Sequence, residues 1–94
     1  MNTEVYEYIA FQFYEDKHRH CDHLGRGLAE EVEEVCQELY DNKGRDREAY
    51  LDELADVLWY VTVMSMVEDE NLESLMKRNI YKLEDRILNG KRNS

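Results

Sequence analysis

Proline is absent from the 94 residues, and glycine occurs only four times. Without proline nothing in the chain is barred from the interior of a long helix. With so few glycines there are few places suited to tight or left-handed turns. Cysteine is scarce as well: Cys21 and Cys36 are too few for a disulfide scaffold, which excludes the small, stapled secreted class. Positive charge is in deficit, with 12 Lys and Arg against 22 Asp and Glu and a net charge of −10. That balance argues against non-specific nucleic-acid binding. Nor is there a long hydrophobic run. The nearest, Leu54 to Val67, contains Asp56 and falls short of the roughly 20 residues a membrane span needs. The opening Met1-Asn2-Thr3-Glu4 starts no basic segment with an apolar run behind it, as a secretory signal would. These absences predict a cytoplasmic protein with reduced thiols, no membrane and no nucleic-acid partner.

What remains is helix-type periodicity between apparent glycine breaks at Gly25 and Gly27, Gly44 and Gly90. The pattern predicts one all-α domain over residues 1–94. Its four helices are expected at about Asn2–Lys17, Gly27–Asn42, Asp46–Met66 and Asn71–Leu88, capped by Thr3, Asp46 and Asn71 where those precede a helical run. The simplest arrangement is a four-helix bundle. A chain this short buries only about 60–65% of its unfolded surface, so association is the remaining way to enlarge the core.

The first helix offers Val5, Tyr8, Ile9, Gln12 and Phe13 as a core face. His18-Arg19-His20-Cys21-Asp22-His23 has the composition of a metal cluster but no second ligand pair, so a solvated loop is expected there rather than zinc. In the second helix Leu28, Val32, Val35 and Leu39 form one apolar stripe, with Glu31, Glu34 and Glu38 along its border. Glu30 and Glu33 point further toward solvent. In the third helix Leu54, Val57, Leu58 and Val61 mark one face, and Trp59, Val63 and Met66 the opposite one. A helix apolar on both sides is covered on both sides, and in so short a chain the second cover is expected to be another subunit. Glu53, Asp56 and Tyr60 line up between those faces.

Two carboxylate pairs at i, i+3 spacing thus project from two helices. Facing one another, they can surround a hard, oxygen-preferring cation. Ion pairing to Lys82 or Arg86 is the competing use. On the fourth helix Leu72, Met76, Ile80, Leu83 and Ile87 make an apolar stripe edged by Asn79, Lys82 and Arg86. This row can grip phosphate oxygens, or its stems can simply cover apolar surface. Its sign fits an uneven charge distribution: 19 acidic and 6 basic residues through Asn71, then 3 acidic and 6 basic from Leu72 onward.

Three motifs in order resemble the MazG-like nucleotide pyrophosphohydrolases of the all-α NTP pyrophosphatase superfamily. Glu30-Glu31-Val32-Glu33-Glu34 matches the EExxE element, and Glu53-Leu54-Ala55-Asp56 matches ExxD. Asn79-Ile80-Tyr81-Lys82-Leu83-Glu84-Asp85-Arg86 matches NIxKLxxR. The resemblance spans about Leu24 to Ile87. One departure is Glu33, where relatives often carry glycine. The resemblance implies metal binding by Glu31, Glu34, Glu53 and Asp56, with Mg²⁺ as the ion and Mn²⁺ as a substitute. It further implies Glu34 or Glu31 beside the attacking water, and Asn79, Lys82 and Arg86 on the substrate. The expected reaction cleaves the α–β phosphoanhydride of a nucleoside triphosphate, giving a monophosphate and pyrophosphate. The expected assembly is a homodimer or a dimer of dimers. Two rival readings stand: phosphoribosyl-ATP pyrophosphohydrolase, which a substrate comparison would separate, and a non-catalytic helical interaction module, whose carboxylates could be neutralised without loss.

Overall fold

The computed structural model describes residues 1–17, 21–40 and 46–90. They form four α-helices and, among the described residues, no strand: α1 Thr3–Lys17, α2 Cys21–Tyr40, α3 Arg47–Val67 and α4 Leu72–Leu88. The all-α expectation holds, and among the described residues no helix is long and apolar enough to cross a membrane.

Local chemistry sets several of the ends. The Asp46 side chain accepts from the amides of Glu48 and Ala49 at 3.0 and 3.3 Å and starts α3. Asn71 accepts from the Ser74 amide at 2.8 Å and starts α4. α4 ends at Leu88 with Asn89 as its C-cap, and Gly90 follows with a φ of 65°, the left-handed conformation that glycine adopts cheaply after a helix. At the first helix the cap is Asn2 rather than Thr3: Asn2 Oδ1 accepts from the Val5 amide at 2.9 Å, and Thr3 is already helical.

The second helix differs most from expectation. It begins at Cys21, six residues before Gly27, so Gly25 and Gly27 lie inside it and break nothing. Helix also replaces the loop expected over Cys21-Asp22-His23; His18–His20 and Gly44 lie outside the described residues. Gly27 is a packing site. A Cβ there would overlap the hydroxyl and ring of Tyr60, so the bare α2 backbone receives the Tyr60 phenol.

α3 is the hub. It packs along α2 and meets α1 and α4. Ala10, Tyr14, Leu24 and Val63 form the buried core, with Tyr6, Phe11, Trp59, Tyr60, Met64 and Val67 packed against it. The Trp59 indole donates to the Ala10 carbonyl at 3.1 Å and pins α3 to α1. Glu7, only 8% exposed, accepts from the Leu72 amide at 2.6 Å and ties α1 to the N-terminus of α4.

α1 therefore turns Glu7, Ala10 and Tyr14 inward, and the face expected to be core (Val5, Tyr8, Ile9, Gln12, Phe13) is exposed. Apolar residues occur nearly all round this helix, and the small Ala10 allows the closer approach to α3. The stripe on α4 is uncovered too, with Ile80 at 51% and Ile87 at 78% exposure. Val32 and Leu39 of α2 and Leu54, Leu58 and Val61 of α3 are also exposed. One of the two apolar faces of α3 is thus covered within the chain and the other is not. The radius of gyration is 15.6 Å, against about 12 Å for a compact domain of this length.

Candidate metal centre

The helical spacing that puts Glu31 and Glu34 on one side of α2, and Glu53 on the facing side of α3, brings their carboxylates together. One oxygen from each lies within 4.8 Å of the others. Glu31 and Glu53 are half-buried and Glu34 is exposed, so the group sits at the border of the α2–α3 packing with one side open to solvent.

Three acids this close cannot all ionise without cost. The Glu53 carboxyl is pushed up to about 7, first by hydrogen-bonded proton sharing with Glu34, then with Glu31. Glu31 is raised above the ordinary carboxylate range by burial, with the charges of Asp56 and Glu34 adding to it and the hydrogen bond from Glu53 opposing it. In addition, Glu31 Oε2 and Glu53 Oε2 are buried and have no hydrogen-bond partner. A buried carboxylate oxygen without a donor is expensive. Cations satisfy such atoms, and an all-oxygen donor set suits Mg²⁺ or Mn²⁺ better than zinc. The residues fit a hard divalent ion.

Asp56 lies outside that tight group, exposed and one turn further along α3, but its charge still acts on Glu31. Glu30 and Glu33 are exposed, as their angular positions on α2 imply. On α4, Asn79 and Lys82 are exposed and Arg86 is half-buried. Among the described residues no ion pair joins Lys82 or Arg86 to the carboxylates, so the competing reading of the acids as salt-bridge partners finds no support there. Lys82 instead borders an open cleft along α4 with Ser74, Lys77, Arg78 and Tyr81.

Two features at this centre go beyond the motif residues. Glu38 Oε2 is also buried without a partner, one turn past Glu34, a position already visible in the Glu31–Glu34–Glu38 stripe. Tyr60 rests on Gly27 at the other end of the group, edge-on to Trp59 with ring centroids 4.9 Å apart and an interplanar angle of 86°. The in-line spacing of Glu53, Asp56 and Tyr60 was the available sequence signal. Its counterpart Gly27 carries the local signal of a helix break, which says nothing of a packing site.

No curated protein and no solved structure matches this chain. A family model does match, over residues 19–89, and it takes in all three carboxylates of the group and the Asn79–Arg86 segment. Those residues make up most of the sequence, and the chain belongs to the MazG nucleotide pyrophosphohydrolase domain family.

Proposed function

We propose that this protein is a Mg²⁺-dependent nucleoside triphosphate pyrophosphohydrolase, cleaving the α–β phosphoanhydride to a nucleoside monophosphate and pyrophosphate. The observation that carries the reading is the Glu31–Glu34–Glu53 group, with its unpartnered buried oxygens on Glu31 and Glu53. Family membership supports the reaction class, and the carboxylate group supports a metal-dependent route to it.

In this reading Glu31, Glu34 and Glu53 hold the ion, and Asp56 completes the set from one turn away on α3. Bound there, a divalent cation offsets triphosphate charge and lowers the pKa of a coordinated water. Glu34, the most exposed of the three, is the candidate to accept a proton from the attacking water, with Glu31 as the other. Asn79, Lys82 and Arg86 supply amide and cationic donors for phosphate oxygens and the ribose. Mn²⁺ fits the same oxygen donors. The setting in this reading is cytoplasmic, and the working assembly is a homodimer or a dimer of dimers that covers the apolar faces of α1, α3 and α4.

The test is a panel of NTPs and dNTPs with Mg²⁺, with phosphoribosyl-ATP alongside and the products resolved by chromatography. Monophosphate plus pyrophosphate from one or more triphosphates is the expected outcome. Release of inorganic phosphate with a nucleoside diphosphate, or turnover of phosphoribosyl-ATP alone, would contradict it.

A further inference from the structure

α4 is held mainly at its first turn. It buries none of its residues, and its half-buried ones are Leu72, Ser74 and Leu75 in that turn and Arg86 near the far end. The turn before it stitches the start of the helix: Asn71 accepts from the Ser74 amide at 2.8 Å, and the Ser74 hydroxyl donates to Glu70 Oε2 at 2.7 Å. Those contacts are local and decide where the helix begins, not where it points. Glu7 reaches the same turn from a different helix, with its carboxylate only 8% exposed and accepting from the Leu72 amide at 2.6 Å. Burying a carboxylate is costly, and the unpaired amides at a helix N-terminus offset that cost. α1 precedes the family domain at residues 19–89, so this contact anchors α4 to an element outside that domain.

Asn79, Lys82 and Arg86 lie further out on the same helix. Among the described residues neither Lys82 nor Arg86 forms an ion pair, so the axis of α4 places the row, not a set of acidic partners. With a rise of about 1.5 Å per residue, Asn79 stands about 10 Å and Arg86 about 21 Å from Leu72 along that axis. A tilt of about 10° at the base carries Arg86 sideways by about 3.5 Å, more than the length of a hydrogen bond. What sets the tilt therefore sets where the row presents its donors.

We propose that Glu7 is a positioning residue for substrate binding: by holding the Leu72 amide it directs α4 and, through it, places Asn79, Lys82 and Arg86. This rests on the pyrophosphohydrolase reading, in which that row takes the phosphates. Glu7 itself touches neither nucleotide nor metal. Its role depends on where its oxygen lies, so a neutral side chain of the same length serves and a shorter acid does not.

The test is steady-state hydrolysis of a triphosphate in saturating Mg²⁺, well below the melting temperature of every variant. Glu7→Ala should raise KM by about fivefold or more with kcat within about twofold of wild type, the pattern of lost substrate binding. Glu7→Asp draws the oxygens back by about 1.5 Å and should behave the same way, which keeps the test open if Glu7→Ala does not fold. Glu7→Gln keeps an acceptor in place and should restore KM to within about twofold of wild type. Calorimetric Mg²⁺ affinity without nucleotide should be unchanged in all three. In a Lys82→Ala/Arg86→Ala background, replacing Glu7 should change KM by less than about twofold, because the groups it positions are gone. Wild-type KM in folded Glu7→Ala and Glu7→Asp, or a full additional effect in the Lys82→Ala/Arg86→Ala background, would overturn the role and leave the pyrophosphohydrolase reading intact. Weakened Mg²⁺ binding in these variants would make Glu7 a support of the whole fold and overturn it as well. A wild-type protein that hydrolyses no triphosphate would overturn both.

Discussion

Glu53 carries the clearest pH signature. Its carboxyl titrates near 7 in the folded chain against an ordinary value of 4.5, because Glu34 and Glu31 share its proton. Between those values the folded state binds more protons than the unfolded one. This contribution to stability is therefore fully present below about 4.5 and is lost as the pH rises through about 7. Metal-free melts from about pH 5 to about pH 8 should show that decline, and Glu53→Gln should flatten it. An unchanged slope in Glu53→Gln would assign the titration to another group. Mg²⁺ should reverse the trend, since binding to the ionised carboxylates displaces the shared proton below pH about 7. The residues of this group were legible in the sequence because helical spacing is local: i, i+3 pairs bordering apolar stripes locate themselves without knowledge of the fold. The Gly27–Tyr60 contact was not legible, because it joins positions 33 residues apart, and glycine carries a strong local meaning as a break that tertiary packing here overrides.

Among the elements, α3 and α4 follow the rule that caps are decided by neighbours in sequence. Asp46→Ala removes an acceptor for two α3 amides and should cost about 1 kcal/mol, measured by denaturant unfolding. Placement of the elements is a different matter. α4 has no buried residue, and its hold on the rest of the chain includes the buried Glu7 carboxylate at the Leu72 amide. Glu7→Ala should cost about 2 kcal/mol, and hydrogen exchange should show lost protection confined to the start of α4. If the loss spread evenly through α2 and α3, Glu7 would be part of the general core and not a latch. Nothing near Glu7 in the sequence announces this contact, which spans 65 positions. The inward face of α1 was hidden for a related reason. Its large apolar residues pointed to one face, and the close approach allowed by Ala10 selected another.

At the scale of the molecule, the chain exposes more than a finished domain would. Its accessible surface is 7631 Å², against roughly 5,700 Å² for a compact protein of this mass, an excess of roughly 1,900 Å² per chain. That is within the range each partner of an obligate dimer covers. The uncovered surface includes Val5, Ile9 and Phe13 on α1, Leu54 and Leu58 on α3, and Met76, Ile80 and Ile87 on α4. Multi-angle light scattering at micromolar concentration should give at least a dimer, and Ile80→Glu should shift it toward monomer with loss of stability. A stable folded monomer of the wild type would show that these faces are tolerated as exposed surface. The apolar stripes were all visible in the sequence, but what covers them was not, since periodicity identifies a face without identifying its partner.

The central claim is that Glu31, Glu34 and Glu53 together form a divalent-cation site. The most direct test is calorimetric titration of Mg²⁺ into wild type and Glu53→Gln above pH about 7, where the carboxylates of wild type are ionised. Wild type should show saturable binding that also raises its melting temperature. Glu53→Gln should remain folded, melt at or above metal-free wild type because a repelling charge is gone, and bind Mg²⁺ at least tenfold more weakly, a loss of about 1.4 kcal/mol or more. Equal Mg²⁺ affinity in the two proteins would contradict the account and leave the three carboxylates as no more than an acidic border between two helices.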